Sequence, residues 1–245
     1  VPVAEVEKQK AILMVGSYLR KELPILNHRV RKAVGAGAKA FAVNPVELNF
    51  NYDIAQSGME NGMVLELAGI AKAAGDNSDW LKDINPTDSQ KATAEALKEA
   101  EGASIMVGQI AQMHADYNTI VKLADAIAKQ AGASLNVLPM AANEVGAHLV
   151  NFLPANGKNS AQMIADGMKA FINMNIEPEL DFAKGDAAQT AMKNAQFVVN
   201  LTAFDSEAQR EYADVMLPVA TFAETAGTFV NANGQIQSFK LSVEP

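Results

Sequence analysis

Residues 11–24 read AILMVGSYLRKELP. An apolar run stops at Gly16, a short polar loop follows, and Pro24 opens a basic helix. A glycine at the carboxyl end of a parallel strand allows close backbone approach, and a helix N-terminus offers unpaired N–H groups to an anion. Gly16 and Ser17 are therefore candidate phosphate-holding residues. The loop lacks the G-x-G-x-x-G spacing, however, and the gap from Gly16 to the helix start is long for a dinucleotide fingerprint. On the residues alone, a nucleotide loop and an ordinary turn glycine both remain open.

Other reactive side chains form no constellation. His28, His114 and His148 are far apart and have no metal-ligand spacing, so helix-face or capping roles are expected for them. Ser206, between Asp205 and Glu207, resembles a nucleophile but precedes EAQREY, where a helix N-cap is the better reading. Glu177 and Glu179 sit in loop-like sequence with no scaffold to position a carboxylate pair. The 245 residues include no cysteine, which excludes disulfides and Cys-ligated zinc or iron–sulfur clusters within them. No catalytic residue and no metal site is predicted.

Charge narrows the partners. The net charge of -8 speaks against nucleic acid, because phosphate neutralisation requires clustered Lys and Arg. Positions 20–39 run the other way. Arg20, Lys21, Arg29, Arg31, Lys32 and Lys39 stand against Glu22 alone, a local charge of +5. Part of this is a solvated helix face. The concentration nevertheless predicts contact with an acidic surface of another subunit or domain, with Arg20, Arg29, Arg31 and Lys32 as interface candidates. No apolar run has the length of a membrane span, so no direct membrane insertion is expected. No signal peptide is expected. The chain starts at Val1 without a methionine and stops at Pro245 without a visible structural end, as expected of a piece of a longer protein.

The elements that must position these residues alternate. Ala11–Val15 and Lys39–Val43 read as buried strands around a helix opened by Pro24. Helices are expected over 61–75, over 86–102 with Thr87 and Gln90 spaced as a capping box, and over 114–132 closed by Gly132. Strands are expected at 103–107 and 134–138. The alternation lapses between Pro139 and Lys184, where LPMAANEVGAHLVNFLPANGKN is rich in Pro, Gly and Asn. A domain crossing is predicted there, giving one α/β domain over 1–138 and a second over 139–245 that is incomplete at its C-terminus. In the second, helices are expected near 160–171, near 186–195 and from Ser206, with strands at 196–201 and 214–217 and a hairpin turning at NANG. The sheets should be mainly parallel and covered by helices.

Several stretches carry a family resemblance. ILMVGSYLRKELPILNHRVRKA followed by VNPVELNFNYD resembles the large iron–sulfur subunit of respiratory complex I, the NADH–quinone oxidoreductase. In mitochondria it is the 75 kDa subunit. NVLPMAANEVGAHLVNFLP and QFVVNLTAFDSEAQREYADVMLPVATFAETAGTFVNANGQIQSF extend the likeness over nearly the whole chain. They carry the wider molybdopterin oxidoreductase pattern, A-D-V-x-L-P leading to E-x-x-G-T-x-x-N. The resemblance implies two Rossmann-like domains of the formate-dehydrogenase/DMSO-reductase kind. It also implies iron–sulfur clusters in an N-terminal region of the parent chain, outside these residues.

Departures from the family pattern fall at cofactor positions. Asp-Pro-Arg is usual after the second strand; here Asn44-Pro45-Val46 stands. E-G-R is usual in the hairpin; here it is Asn233-Gly234-Gln235. A pyrophosphate-linked cofactor prefers cations as well as donors, and both arginines are missing. The resemblance thus implies a scaffold segment of the complex I peripheral arm, on the cytoplasmic face of the bacterial inner membrane. It would bind no cofactor of its own, and Gly16, Ser17, Asn44, Pro45 and Gln235 would be vestiges of a lost site. Its partners would be other peripheral-arm subunits and the iron–sulfur region of its own chain, in a complex passing electrons from NADH to quinone. The alternatives are a segment binding molybdopterin guanine dinucleotide in a formate-dehydrogenase-like oxidoreductase, and a soluble nucleotide-binding module.

Overall fold

The structure, a computed structural model of the chain, describes residues 1–58 and 62–244. It divides into two compact units, residues 1–145 with 230–235, and residues 146–229 with 236–245.

The first unit holds strands β1 (Ala11–Val15), β2 (Lys39–Val43), β3 (Gln56–Gly58), β4 (Ala103–Val107) and β5 (Ser134–Val137). All pair in parallel, in the order β3-β2-β1-β4-β5. Alternate side chains leave opposite faces of the sheet, so the apolar strands feed two separate cores. Ile12, Met14, Ala40, Ala42 and Met106 pack with Leu26 and Val30 of the helix Pro24–Gly35. Leu13, Val15, Val43 and Ile105 pack under the helices Gly62–Ala74, Asp88–Glu99 and Tyr117–Ala131, which contribute Leu67, Leu97 and Leu123. The sheet is thus wound in both directions from β1 and β4.

Local chemistry sets the helix limits. Pro24 occupies the first turn, where its missing N–H costs nothing. Thr87 and Gln90 form the reciprocal capping box. The long helix begins at Tyr117, after His114 Nδ1 accepts the Asp116 N–H at 3.0 Å, and it ends at Gly132 in the left-handed region. The expected helix over 61–75 is seen from Gly62 to Ala74, and Asn61 lies outside the described residues.

The second unit holds β6 (Ala170–Met174), β7 (Phe197–Thr202) and β8 (Val215–Pro218), parallel and in that order. Phe171 and Val198 pack with Ala191 and Met192 of the helix Gly185–Lys193 and with Tyr212. Strands β9 (Gly227–Val230) and β10 (Ile236–Phe239) pair around the predicted turn, whose Asn231 Oδ1 accepts the N–H groups of Asn233 and Gln235.

Two expectations are corrected. The helix near 160–171 stops at Asp166, Gly167 follows with φ 68°, and Ala170 begins β6. Pairing with β7 there overrides the helical spacing of Met168 and Phe171. Glu179 is also not in loop: it lies in the short helix Pro178–Asp181, and its Oε2 accepts the Tyr212 hydroxyl at 3.0 Å, while Glu177 stays in the loop that leads into that helix.

A candidate ligand crevice at the β1 and β4 strand ends

In an open parallel sheet, ligands bind outside the carboxyl ends of the strands where the winding reverses. Here that point lies between β1 and β4, and Gly16 and Gly108 follow directly. Gly16 adopts φ +51°, accepts the Ala111 N–H at 3.0 Å and donates to the Val43 carbonyl at 2.8 Å. A Cβ on Gly16 would lie 2.4 Å from Ala111 N. Gly108 is equally confined, since a Cβ there would lie 2.3 Å from Ser17 Cβ and 2.6 Å from Glu22 Oε2. The strand ends are pressed together around a side chain of the chain itself.

That side chain is Glu22. Its Oε1 accepts the Tyr18 N–H at 2.5 Å, and its Oε2 accepts the Ser17 hydroxyl and the Gln109 N–H, both at 3.1 Å. One carboxylate therefore bridges the loop after β1 to the turn after β4. Hydrogen bonds to an ionised acceptor are about twice as strong as neutral ones. The Ser17 N–H is also taken, because it goes to Asn44 Oδ1 at 2.9 Å while Asn44 Nδ2 reaches the Ser17 carbonyl at 3.4 Å. Ser17 and Asn44 are both buried. A pyrophosphate at this strand end would meet donors already paired to Glu22 and Asn44.

The structure brings Gly16, Ser17 and Asn44 together and leaves the other candidates elsewhere. Pro45 is exposed, as is Val46. Gln235 is turned into its own hairpin, where its Oε1 accepts from Asn231 Nδ2 at 3.1 Å. The Arg20 guanidinium reaches the Asn49 carbonyl at 3.4 Å. Arg29 and Lys32 converge on Glu7, at 2.6 and 2.7 Å, and hold its carboxyl down to about 2. Arg31 is exposed. Sequence reasoning missed Glu22, Gly108 and Gln109. The signal for Glu22 was present: it is the lone acid inside the basic run.

Two further reactive groups hold partners of their own. Ser206 caps its helix by accepting the Gln209 N–H at 3.2 Å. Burial and the Glu179 carboxylate raise the Tyr212 hydroxyl above its usual range. Among the described residues no group of three His, Cys, Asp or Glu could hold a metal ion, and no helix is long and apolar enough to cross a membrane.

A doubly wound parallel sheet with a glycine at its switch point suits many nucleotide-binding families. The profile of the molybdopterin oxidoreductase family matches residues 1–245. The chain belongs to the molybdopterin oxidoreductase family. Among curated relatives, it is 28% identical to the G subunit of the NADH-quinone oxidoreductase of Streptomyces coelicolor, over 100% of this chain and 32% of that one. It is 30% identical to the corresponding NADH-quinone oxidoreductase subunit of Mycobacterium tuberculosis, over 98% of this chain and 31% of that one. The 75 kDa subunit of the NADH-ubiquinone oxidoreductase of Reclinomonas americana is 22% identical, over 98% and 31%. The chain spans about a third of the length of these relatives. In fold, it is similar to a chain of the formyltransferase/hydrolase complex FhcABCD from Methylorubrum extorquens, solved with methylofuran. The TM-score is 0.65 at 15% identity, over 98% of this chain and 71% of that one. The relatives are oxidoreductase subunits, and the α/β fold with mainly parallel sheets is that of the family.

Proposed function

We propose that this chain is a scaffold segment of the large subunit of an NADH–quinone oxidoreductase, descended from a molybdopterin-binding domain that no longer takes its cofactor. The observation that carries the reading is the Glu22 carboxylate seated on the Ser17, Tyr18 and Gln109 donors of the switch-point crevice. A second anion there would be repelled by Glu22 and would have to displace three hydrogen bonds. Neither Val46 nor Gln235 supplies the cation that a dinucleotide phosphate prefers. The loop therefore serves packing, and this chain supplies no catalytic residue to the electron transfer of the complex.

The parent complex would pass electrons from NADH to quinone through clusters bound elsewhere. Its peripheral arm would place this segment on the cytoplasmic face of the membrane, against other arm subunits and the iron–sulfur region of its own chain. Arg31 and Arg20 would supply most of the basic contact, because Glu7 already neutralises part of the charge of Arg29 and Lys32.

The second reading is a segment that still binds molybdopterin guanine dinucleotide, which family membership favours. Analysis of the purified full-length protein for released pterin and for molybdenum separates the two. The scaffold reading expects neither above trace level. Stoichiometric pterin would replace it with the second.

A further inference from the structure

We propose that the bare face of the β6–β8 sheet is completed by a strand–helix segment of the same polypeptide outside residues 1–245. Its strand would pair in parallel with the free edge of β6, and its helices would cover the exposed apolar rows.

The rows are defined by the register. Ile172, Val199 and Val215 lie side by side across the three strands, and Met174, Leu201 and Leu217 form the next row on the same face. No charged residue interrupts either row. Ile172 is 76% exposed and Met174 67%, Leu217 is exposed, and Val199, Leu201 and Val215 are half-buried, whereas Phe171 and Val198 on the opposite face are buried. Parallel sheets occur with both faces covered, since their crossover helices lie against them.

Handedness decides what kind of segment is needed. The crossovers from β6 to β7 and from β7 to β8 run in one direction across the sheet. Right-handed connections running one way place their helices on one face, and the buried Met192 and Tyr212 both lie on the Phe171 side. Covering the other face requires crossovers running away from β7, beginning at a strand beside β6. The first unit provides the precedent: β1 to β2 runs one way, β4 to β5 runs the other, and the two faces are covered by different helices. A two-fold partner joined at the β6 edge would extend the sheet and leave these rows bare. The curated relatives are about three times as long as this chain, so segments of the required size exist in that family.

The test compares the 245-residue chain with the full-length polypeptide, each checked by sedimentation. Hydrogen exchange is followed over residues 170–174, and peroxide oxidation is followed at Met174, with exposed Met113 of the first unit as the reference. The expected result is a monomeric 245-residue chain in which both sites react freely, with exchange and Met174 oxidation slowed on the order of tenfold or more in the full chain alone. Ile172→Glu should leave the melting of the short chain unchanged and lower that of the full chain. Equal rates in both chains would overturn the proposal. So would protection in the short chain that follows its dimerisation, and protection that arises only when other subunits are added.

Discussion

The two sheets of this molecule are built from the same kind of strand and finished differently. In the first unit both faces of β1 carry buried side chains, Ile12 and Met14 on one side and Leu13 and Val15 on the other. In the second unit β6 alternates, with Phe171 and Asn173 inside and Ile172 and Met174 outside. The first sheet is therefore a complete hydrophobic structure within these residues. The second draws its cohesion from one face and a smaller core. Stability should be concentrated in the first unit and should depend, in the second, on what lies against Ile172.

The largest expected effect breaks the finished unit. Gly16→Val combines a left-handed backbone with a side chain forced against Ala111. The conformational strain costs about 1–3 kcal/mol and overpacking about as much again. Denaturant unfolding should show the first unit losing most of its stability. Next, Leu67→Ala should cost about 2–5 kcal/mol, because the residue is fully buried against the sheet. Ile172→Ala in the same 245-residue chain should change stability by less than about 0.5 kcal/mol, as for other exposed positions. If the two alanine variants cost the same, the contrast between the units fails.

Glu22→Ala should fall between the two alanine variants. It leaves the Tyr18 and Gln109 N–H groups without their acceptor, at about 1–3 kcal/mol where they remain dry. Amide exchange at residues 18 and 109 should accelerate with little change in the second unit. The smallest effect concerns pH. Arg29 and Lys32 lower the Glu7 carboxyl from 4.5 to about 2. A depressed carboxylate stabilises the folded state above its unfolded value and loses that contribution as pH falls through its folded value. The contribution of this exposed cluster should therefore be intact above about pH 4.5 and vanish towards pH 2, more weakly at high salt. Glu7→Gln should flatten that part of the curve.

Much of the first unit was legible in the sequence, because its strands are continuous apolar runs and its helices carry explicit limits. Pro24, the Thr87–Gln90 box and Gly132 are local signals that act locally. The β3 strand was missed because three residues paired only at one edge of the sheet leave no period to read. The β6 strand was misread as helix because Met168–Met174 is equally apolar under either spacing, and only the β7 pairing decides. At the crevice, Gly16 and Asn44 were legible from their place after strands. Glu22 stood out as the lone acid of the basic run, but its pairing with Gln109 was not legible, because the two lie 87 residues apart and the loop becomes a filled site only when β1 and β4 are adjacent.

The filled crevice is the central claim, and calorimetric titration of the 245-residue chain with NADH, GTP and a pterin dinucleotide tests it most directly. With Glu22 on the loop donors, affinity should be millimolar or weaker, a binding free energy of about -4 kcal/mol at most, and no saturable heat should be seen at micromolar ligand. Saturable micromolar binding of any of the three would contradict the claim and return the crevice to service as a cofactor site.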